Sequence, residues 1–268
     1  MLRDITLGQY FPTESPVHRL DPRYKIVMAM LYMIMIFSGD SAICLAIGFV
    51  YTVIAVSLTR ISLKVYYKSI KPMFPFLLFT ALLNILFIRD GDIYFHWNFI
   101  KITSEGVNTS IFMIVRIILL LAGTSVLTYS TSPIVMTDAI ERLLSPLKKI
   151  KFPVHELAMM MSIALRFIPV LIEETNKIIS AQKARGAEFD SGNIVAKAKS
   201  LIPVLVPLLI SSFRRAEELA TAMECRCYNG GEGRTRLRQM KSGTADYIAL
   251  SVTVLFLIVS KTAEMKLK

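Results

Sequence analysis

The sequence predicts an all-α integral membrane protein: about five transmembrane helices, a cytoplasmic-side pair of long amphipathic helices, and one shorter helix. Three observations carry this. Hydrophobic residues make up 54% of the 268 positions, gathered in several long apolar runs. The lysines and arginines behind the net charge of +11 cluster beside those runs, as positive-inside topology requires. Two stretches, residues 153–185 and the one ending at Arg226, carry charges at intervals that a lipid-facing span would not tolerate. Each of these would form a helix roughly 50 Å long lying along the membrane rather than across it. Aromatics do not interleave with the basic residues in a groove-like pattern, so nucleic acid is not the partner. Cys44, Cys225 and Cys227 build no disulfide framework.

Taken in order, residues 1–25 form a cytoplasmic arm. It is polar and contains Pro12 and Pro16 in its first twenty positions, so the first apolar segment is expected to serve as its own insertion signal. Asp21 is a good helix N-cap, and Pro22 suits the first helical position, which needs no N–H. His18, Asp21, Arg23 and Lys25 are expected to cap the first helix and anchor the arm against the cytoplasmic helices. Residues 26–131 hold four spans, at 26–37, 42–58, 72–88 and 110–128. The first is short for a membrane. Arg60, Lys64, Lys68 and Lys71, with Tyr66 and Tyr67 among them, form a basic interfacial loop. The 89–110 loop, with Arg89, Asp90, Asp92, Lys101 and Glu105, is nearly balanced in charge and holds a possible short hairpin over 93–102. That asymmetry places the N-terminus in the cytoplasm. Arg116 lies deep in the fourth span and should face a bundle interior.

Residues 132–241 form a cytoplasmic domain. Ser132-Pro133 opens a short amphipathic helix, and Lys148, Lys149 and Lys151 suit lipid headgroups. In the first long helix Leu171, Ile172, Thr175, Ile178, Ile179 and Gln182 share a stripe, with Glu173, Glu174, Lys177 and Lys183 largely off it. Gly186 can close the helix in a left-handed cap. In the second, Leu205, Leu208, Leu209, Ser212, Ala216, Leu219, Ala220, Met223 and Cys227 keep one face, with Arg214, Arg215, Glu217, Glu218 and Glu224 on the other. Pro203 and Pro207 should bend its first half. Residues 242–268 hold the last span, at 247–259, and a tail.

Each long helix ends on an arginine between small residues: Ala184-Arg185-Gly186 and Cys225-Arg226-Cys227. A guanidinium stays charged and offers five donors in a rigid fork, best matched by a carboxylate or clustered carbonyls. Small flanks let such a helix end enter a groove. A lone arginine there would more simply stabilise its own C-terminal carbonyls; two copies with matched flanks favour docking. Met159, Met160 and Met161 are soft side chains able to repack against exchangeable partners, whereas Met28, Met30, Met33 and Met35 read equally well as core or lipid filling.

Three parts of the sequence resemble the T component of energy-coupling-factor (ECF) transporters, the EcfT family. They are His18-Arg-Leu-Asp-Pro-Arg-Tyr-Lys25, then Arg166-Phe-Ile-Pro169 with Glu173-Glu174 and the tip at Arg185, then the tip at Arg226. The resemblance covers essentially the whole chain. It departs at the cysteines around Arg226, where the family often has alanine or glycine. It implies a multi-pass scaffold in a bacterial or archaeal cell membrane, without a cofactor of its own. Its implied partners are two ABC ATPases and a substrate-binding S component. By it, Arg185, Arg226, Ala184, Gly186, Cys225 and Cys227 dock on the ATPases. Met159, Met160, Met161, Leu205 and Leu209 are then candidates for contact with the S component.

Other classes fit less well. His155-Glu156 begins an H-E-x-x-H pattern but lacks the second histidine, and no Walker A motif is present, so enzymatic ATP hydrolysis is not expected of this chain. Cys225 and Cys227 could hold a thiophilic metal only with further ligands, and none sits nearby in sequence. A self-sufficient channel or carrier calls for polar, broken helices at the midplane, and spans one to four offer few. A dedicated T component of a single cobalt, nickel or biotin importer stays open beside the shared type.

Overall fold

A computed structural model describes residues 10–39, 41–88, 92–97, 100–187, 189, 193–230 and 240–267. Arg89 and Asp90, counted in the 89–110 loop, lie outside the described residues. The chain divides into two compact units, one built on residues 133–239, the other on residues 8–132 and 240–268.

The second of these is an apolar helix bundle. A single turn, α1 (Pro16–Arg19), precedes α2 (Pro22–Ser38), which starts as expected: the Asp21 side chain accepts from the Arg23 amide and Pro22 takes the first position. Then come α3 (Ala42–Thr59), α4 (Leu63–Ile70) and α5 (Phe74–Phe87). Strands β1 (Ile93–Trp97) and β2 (Ile100–Thr103) pair antiparallel, forming the short hairpin expected over 93–102. Helix α6 (Ser104–Ser130) begins six residues earlier than the expected span at 110, because the Thr103 side chain caps it by accepting from the Gly106 amide. Helix α10 (Thr244–Leu267) extends past the expected 259 through most of the tail. Helix α4 falls where a basic loop was expected. Its Lys64 and Lys68 are four apart and lie on one exposed face, while Tyr66 is buried.

Helix α2 packs against α3, α6 and α10, and α5 packs on α6. The core is Tyr32, Met35, Ile36, Leu45 and Leu119. Met28 and Met35 are therefore core filling, while Met30 is exposed. Tyr32 is 2% exposed. Its hydroxyl donates to the Leu119 carbonyl at 2.7 Å and lies 2.8 Å from Thr52 Oγ1. Two glycines make room for α2. A Cβ at Gly48 would strike Ile36 Cδ1, and one at Gly123 would strike the Tyr32 ring. Small residues at such crossings let helix backbones approach closely, which is the main source of packing energy where lipid competes for apolar surface. Arg116 finds a partner inside the bundle: its guanidinium donates to the Gly39 carbonyl at the end of α2.

By length and composition, five segments could cross a membrane: Ala42–Thr59, Leu63–Phe87, Ser104–Ser130, Val154–Ala184 and Thr244–Lys266. The set differs from the sequence expectation at two helices. The 17 residues of α2 lie at the short limit for a span, yet its packing puts it within the bundle. The segment starting at Val154 qualifies through its apolar first half.

The other unit contains α7 (Pro133–Leu143), α8 (Val154–Ala184) and α9 (Ile194–Cys225). Helix α7 packs on α8, and α8 on α9. Pro169 in α8 and both Pro203 and Pro207 in α9 are accommodated within continuous helix.

Candidate functional site

The two helix tips are built alike. At the end of α8 the Arg185 amide donates to the Ala181 and Gln182 carbonyls, the Gly186 amide to Lys183, and the Ala187 amide back to Gln182 at 3.0 Å. At the end of α9 the Arg226 amide donates to Met223, the Cys227 amide to Glu224, and the Tyr228 amide back to Met223 at 3.0 Å. In both, the residue after the arginine is left-handed: Gly186 at φ +86° and Cys227 at φ +56°. This is the closed helix end in which backbone amides satisfy the last carbonyls. Gly186 was expected to adopt it. Cys227 does so without glycine's freedom, at a cost of about 1–2 kcal/mol.

Because backbone amides cap these carbonyls, the arginine side chains are not needed there. Arg185, Arg226 and the flanking Ala184, Gly186, Cys225 and Cys227 are all exposed. Among the described residues neither guanidinium donates to a protein oxygen. A Cβ added at Gly186 would meet nothing within 4 Å. Both tips therefore project as small, positively charged knobs. Among the described residues no three His, Cys, Asp or Glu side chains gather as a metal site.

Sequence periodicity missed how α8 and α9 hold each other. Glu174 was expected off the contact stripe and Arg215 on the outer face. Instead both oxygens of Glu174 are taken by α9, one by the Ser211 hydroxyl and one by the Arg215 guanidinium. Further along, the Gln182 amide donates to the Pro203 carbonyl at 3.4 Å. That carbonyl is free because Pro207, four residues on, has no N–H to offer it. The prolines thus supply an acceptor between the helices. With polar groups turned inward, the apolar side of α9 is left exposed: Leu205 at 57% and Leu209 at 58%, joined by Ile202, Val206, Ile210 and Phe213. In α8, Met160 and Met161 are exposed and Met159 is half-buried. His155 Nδ1 donates to Glu141 Oε1 at 3.1 Å, which pins α7 to the start of α8.

The arm residues are tied to other helices of their own unit. His18 Nε2 donates to the Phe11 carbonyl at 2.9 Å, and its Nδ1 lies 2.7 Å from Ser15 Oγ. Asp21 binds Arg23 side by side, with contacts of 2.5–3.1 Å. The Asp21 amide donates to Asp246 Oδ1 at 2.8 Å, and the Gly243 amide donates to Asp246 Oδ2 at 2.7 Å. Lys25, just ahead of the apolar stretch that begins at Ile26, donates to the Ser130 carbonyl at 2.9 Å. Asp246 was not foreseen, because its partner stands at the other end of the chain.

A family model described as CbiQ, cobalt transport protein, matches residues 13–237. Several curated relatives carry the name "energy-coupling factor transporter transmembrane protein EcfT". The protein of that name from Ruminiclostridium cellulolyticum is 51% identical over 257 residues, covering 96% of both chains. That from Acidaminococcus fermentans is 50% identical, covering 97% of both. That from Bacillus subtilis is 46% identical, covering 95% of this chain and 97% of its own.

Proposed function

This chain belongs to the CbiQ family, and on that premise we propose that it joins two ABC ATPases to a separate substrate-binding membrane subunit, passing ATP-driven motion from the one to the other. It is the transmembrane component of an energy-coupling factor transporter and a multi-pass membrane protein. In this reading Arg185 and Arg226 dock into acidic or carbonyl-lined grooves of the ATPases. The small neighbours Ala184, Gly186, Cys225 and Cys227 let them enter. The exposed methionines of α8 and the exposed leucines of α9 face the S component. Hydrolysis belongs to the partners. The observation that carries the reading is the pair of exposed tips, alike in backbone geometry and with side chains unengaged by this chain's described residues.

Affinity purification of the tagged chain from detergent-solubilised membranes, with mass spectrometry of what accompanies it, tests the assignment. The expected eluate holds nucleotide-binding subunits and a small membrane subunit; recovery of the chain alone contradicts it. The family description names cobalt transport, which favours a single-cargo importer as the second reading. One membrane partner in the eluate supports that reading, and several alternative partners support the shared type. The chain sits in the cell membrane with its N-terminus in the cytoplasm. A cysteine placed at Lys68 should then escape an impermeant thiol reagent in intact cells, and labelling from outside would overturn this topology.

A further inference from the structure

Arg185 follows Glu174 by eleven residues, and Arg226 follows Arg215 by eleven. Glu174 and Arg215 are bonded to each other across the α8–α9 crossing. Each tip thus lies about 16 Å, just over three turns, beyond the same ion pair. Three turns also bring each tip arginine nearly back to the side of the helix from which its clasp residue projects. Superposing the helices tip on tip, a shift of 41 residues, pairs Glu173 with Arg214, Glu174 with Arg215, Lys177 with Glu218 and Lys183 with Glu224. Every one of these charges is inverted between the helices. A contact between equivalent positions is what a two-fold relation places on its axis. Here the axis position holds opposite charges, so the contact attracts where two copies of one helix would repel.

We propose that the Glu174–Arg215 pair, with Ser211, is the positioning device of the coupling helices: the pivot that sets both tips at equal reach on either side of a local pseudo-two-fold axis. This rests on the docking role of the tips. Two ATPases that close on each other around ATP present their grooves about a two-fold axis, and both can engage at once only if the tips are disposed in the same way. Ser211 and Arg215, one turn apart on α9, each take one carboxylate oxygen. They fix rotation as well as register. The site is half-exposed, with Arg215 at 35% and Glu174 at 22%. Its expected value therefore lies in geometry rather than in fold stability.

The test measures tip-to-tip distance by double electron–electron resonance. Spin labels are attached through non-canonical amino acids at Lys183 and Glu224, with Cys225 and Cys227 left in place, within the assembled complex. One narrow distribution is expected. Glu174→Arg alone and Arg215→Glu alone should each broaden it, Glu174→Gln should broaden it less, and the swap Glu174→Arg/Arg215→Glu should restore it. In the same complexes the ATPases should stay bound, since the tips are intact. ATP-driven uptake of cobalt(II) or a B vitamin, as the wild type carries, should fall about tenfold in the single reversals and recover within about threefold in the swap. Unchanged distances in the single reversals, or a swap as broad and slow as either, overturns the pivot while leaving tip docking untouched. Tip variants that keep their ATPases would instead defeat the docking reading on which it rests.

Discussion

Arg185→Glu, and separately Arg226→Glu, should strip ATPase subunits from the purified complex while the protein still inserts and accumulates. Truncating or reversing one member of a desolvated charge pair costs roughly 2–5 kcal/mol of association, or about 30-fold to several thousand-fold in affinity. Reversal sits at the upper end, because it sets like charges against each other in a closed groove. Neither guanidinium is engaged within the described chain and both residues are exposed, so the effect on folding should stay within about 0.5 kcal/mol. Co-purification yield against inserted yield separates the two effects. The double reversal should abolish both ATPase recovery and uptake. Wild-type recovery and uptake in both single variants would count against docking. Lysine at either position should rescue only in part, since it keeps the charge but not the fork.

The second large effect lies in the bundle. Gly123→Leu should lower thermal stability in detergent sharply. Its Cβ alone would lie 2.6 Å from Tyr32 Cζ and 2.9 Å from the hydroxyl. Tyr32 is enclosed and bonded to the Leu119 carbonyl, so it cannot swing aside without leaving its partners. Overpacking of this kind costs about 1–3 kcal/mol, and the displaced hydroxyl adds about 1 kcal/mol more. The expected loss is about 2–4 kcal/mol, and pairing Gly123→Leu with Tyr32→Ala should recover a good part of it. A melting curve unchanged by Gly123→Leu would show that α2 and α6 do not approach in the way described.

How legible these features were depends on how local their causes are. The Asp21-Pro22 helix start and the Gly186 cap were readable, because each is decided within a few residues of backbone. The spans were readable from apolar runs, with ends uncertain by several residues where a cap such as Thr103 reached back. The left-handed Cys227 was not readable, because nothing in cysteine favours that conformation. Only the likeness of the two tips points to it afterwards. Glu174 and Arg215 were assigned outward by a rule that turns apolar faces inward. The rule assumes that apolar faces meet within the chain, and it fails for α9, where Leu205 and Leu209 stay exposed. Arg116 with the Gly39 carbonyl, and Asp21 with Asp246, join segments 77 and 225 residues apart. No window along the chain contains both partners. Even so, one relation at long range was present in the sequence: the repeat at 41 residues, which keeps the tip arginine and reverses the charges at the four pairs named. It becomes visible only once the crossing shows where to align.

Reconstitution in sealed liposomes bears most directly on whether this chain transmits work that it neither generates nor applies to a cargo of its own. The purified chain alone, with ATP and labelled cobalt or B vitamins supplied, should accumulate nothing and hydrolyse nothing. The same chain with its two ATPases and its S component should accumulate cargo in step with hydrolysis, and removing any one component should stop it. Accumulation of solute by the chain alone would contradict the scaffold role outright.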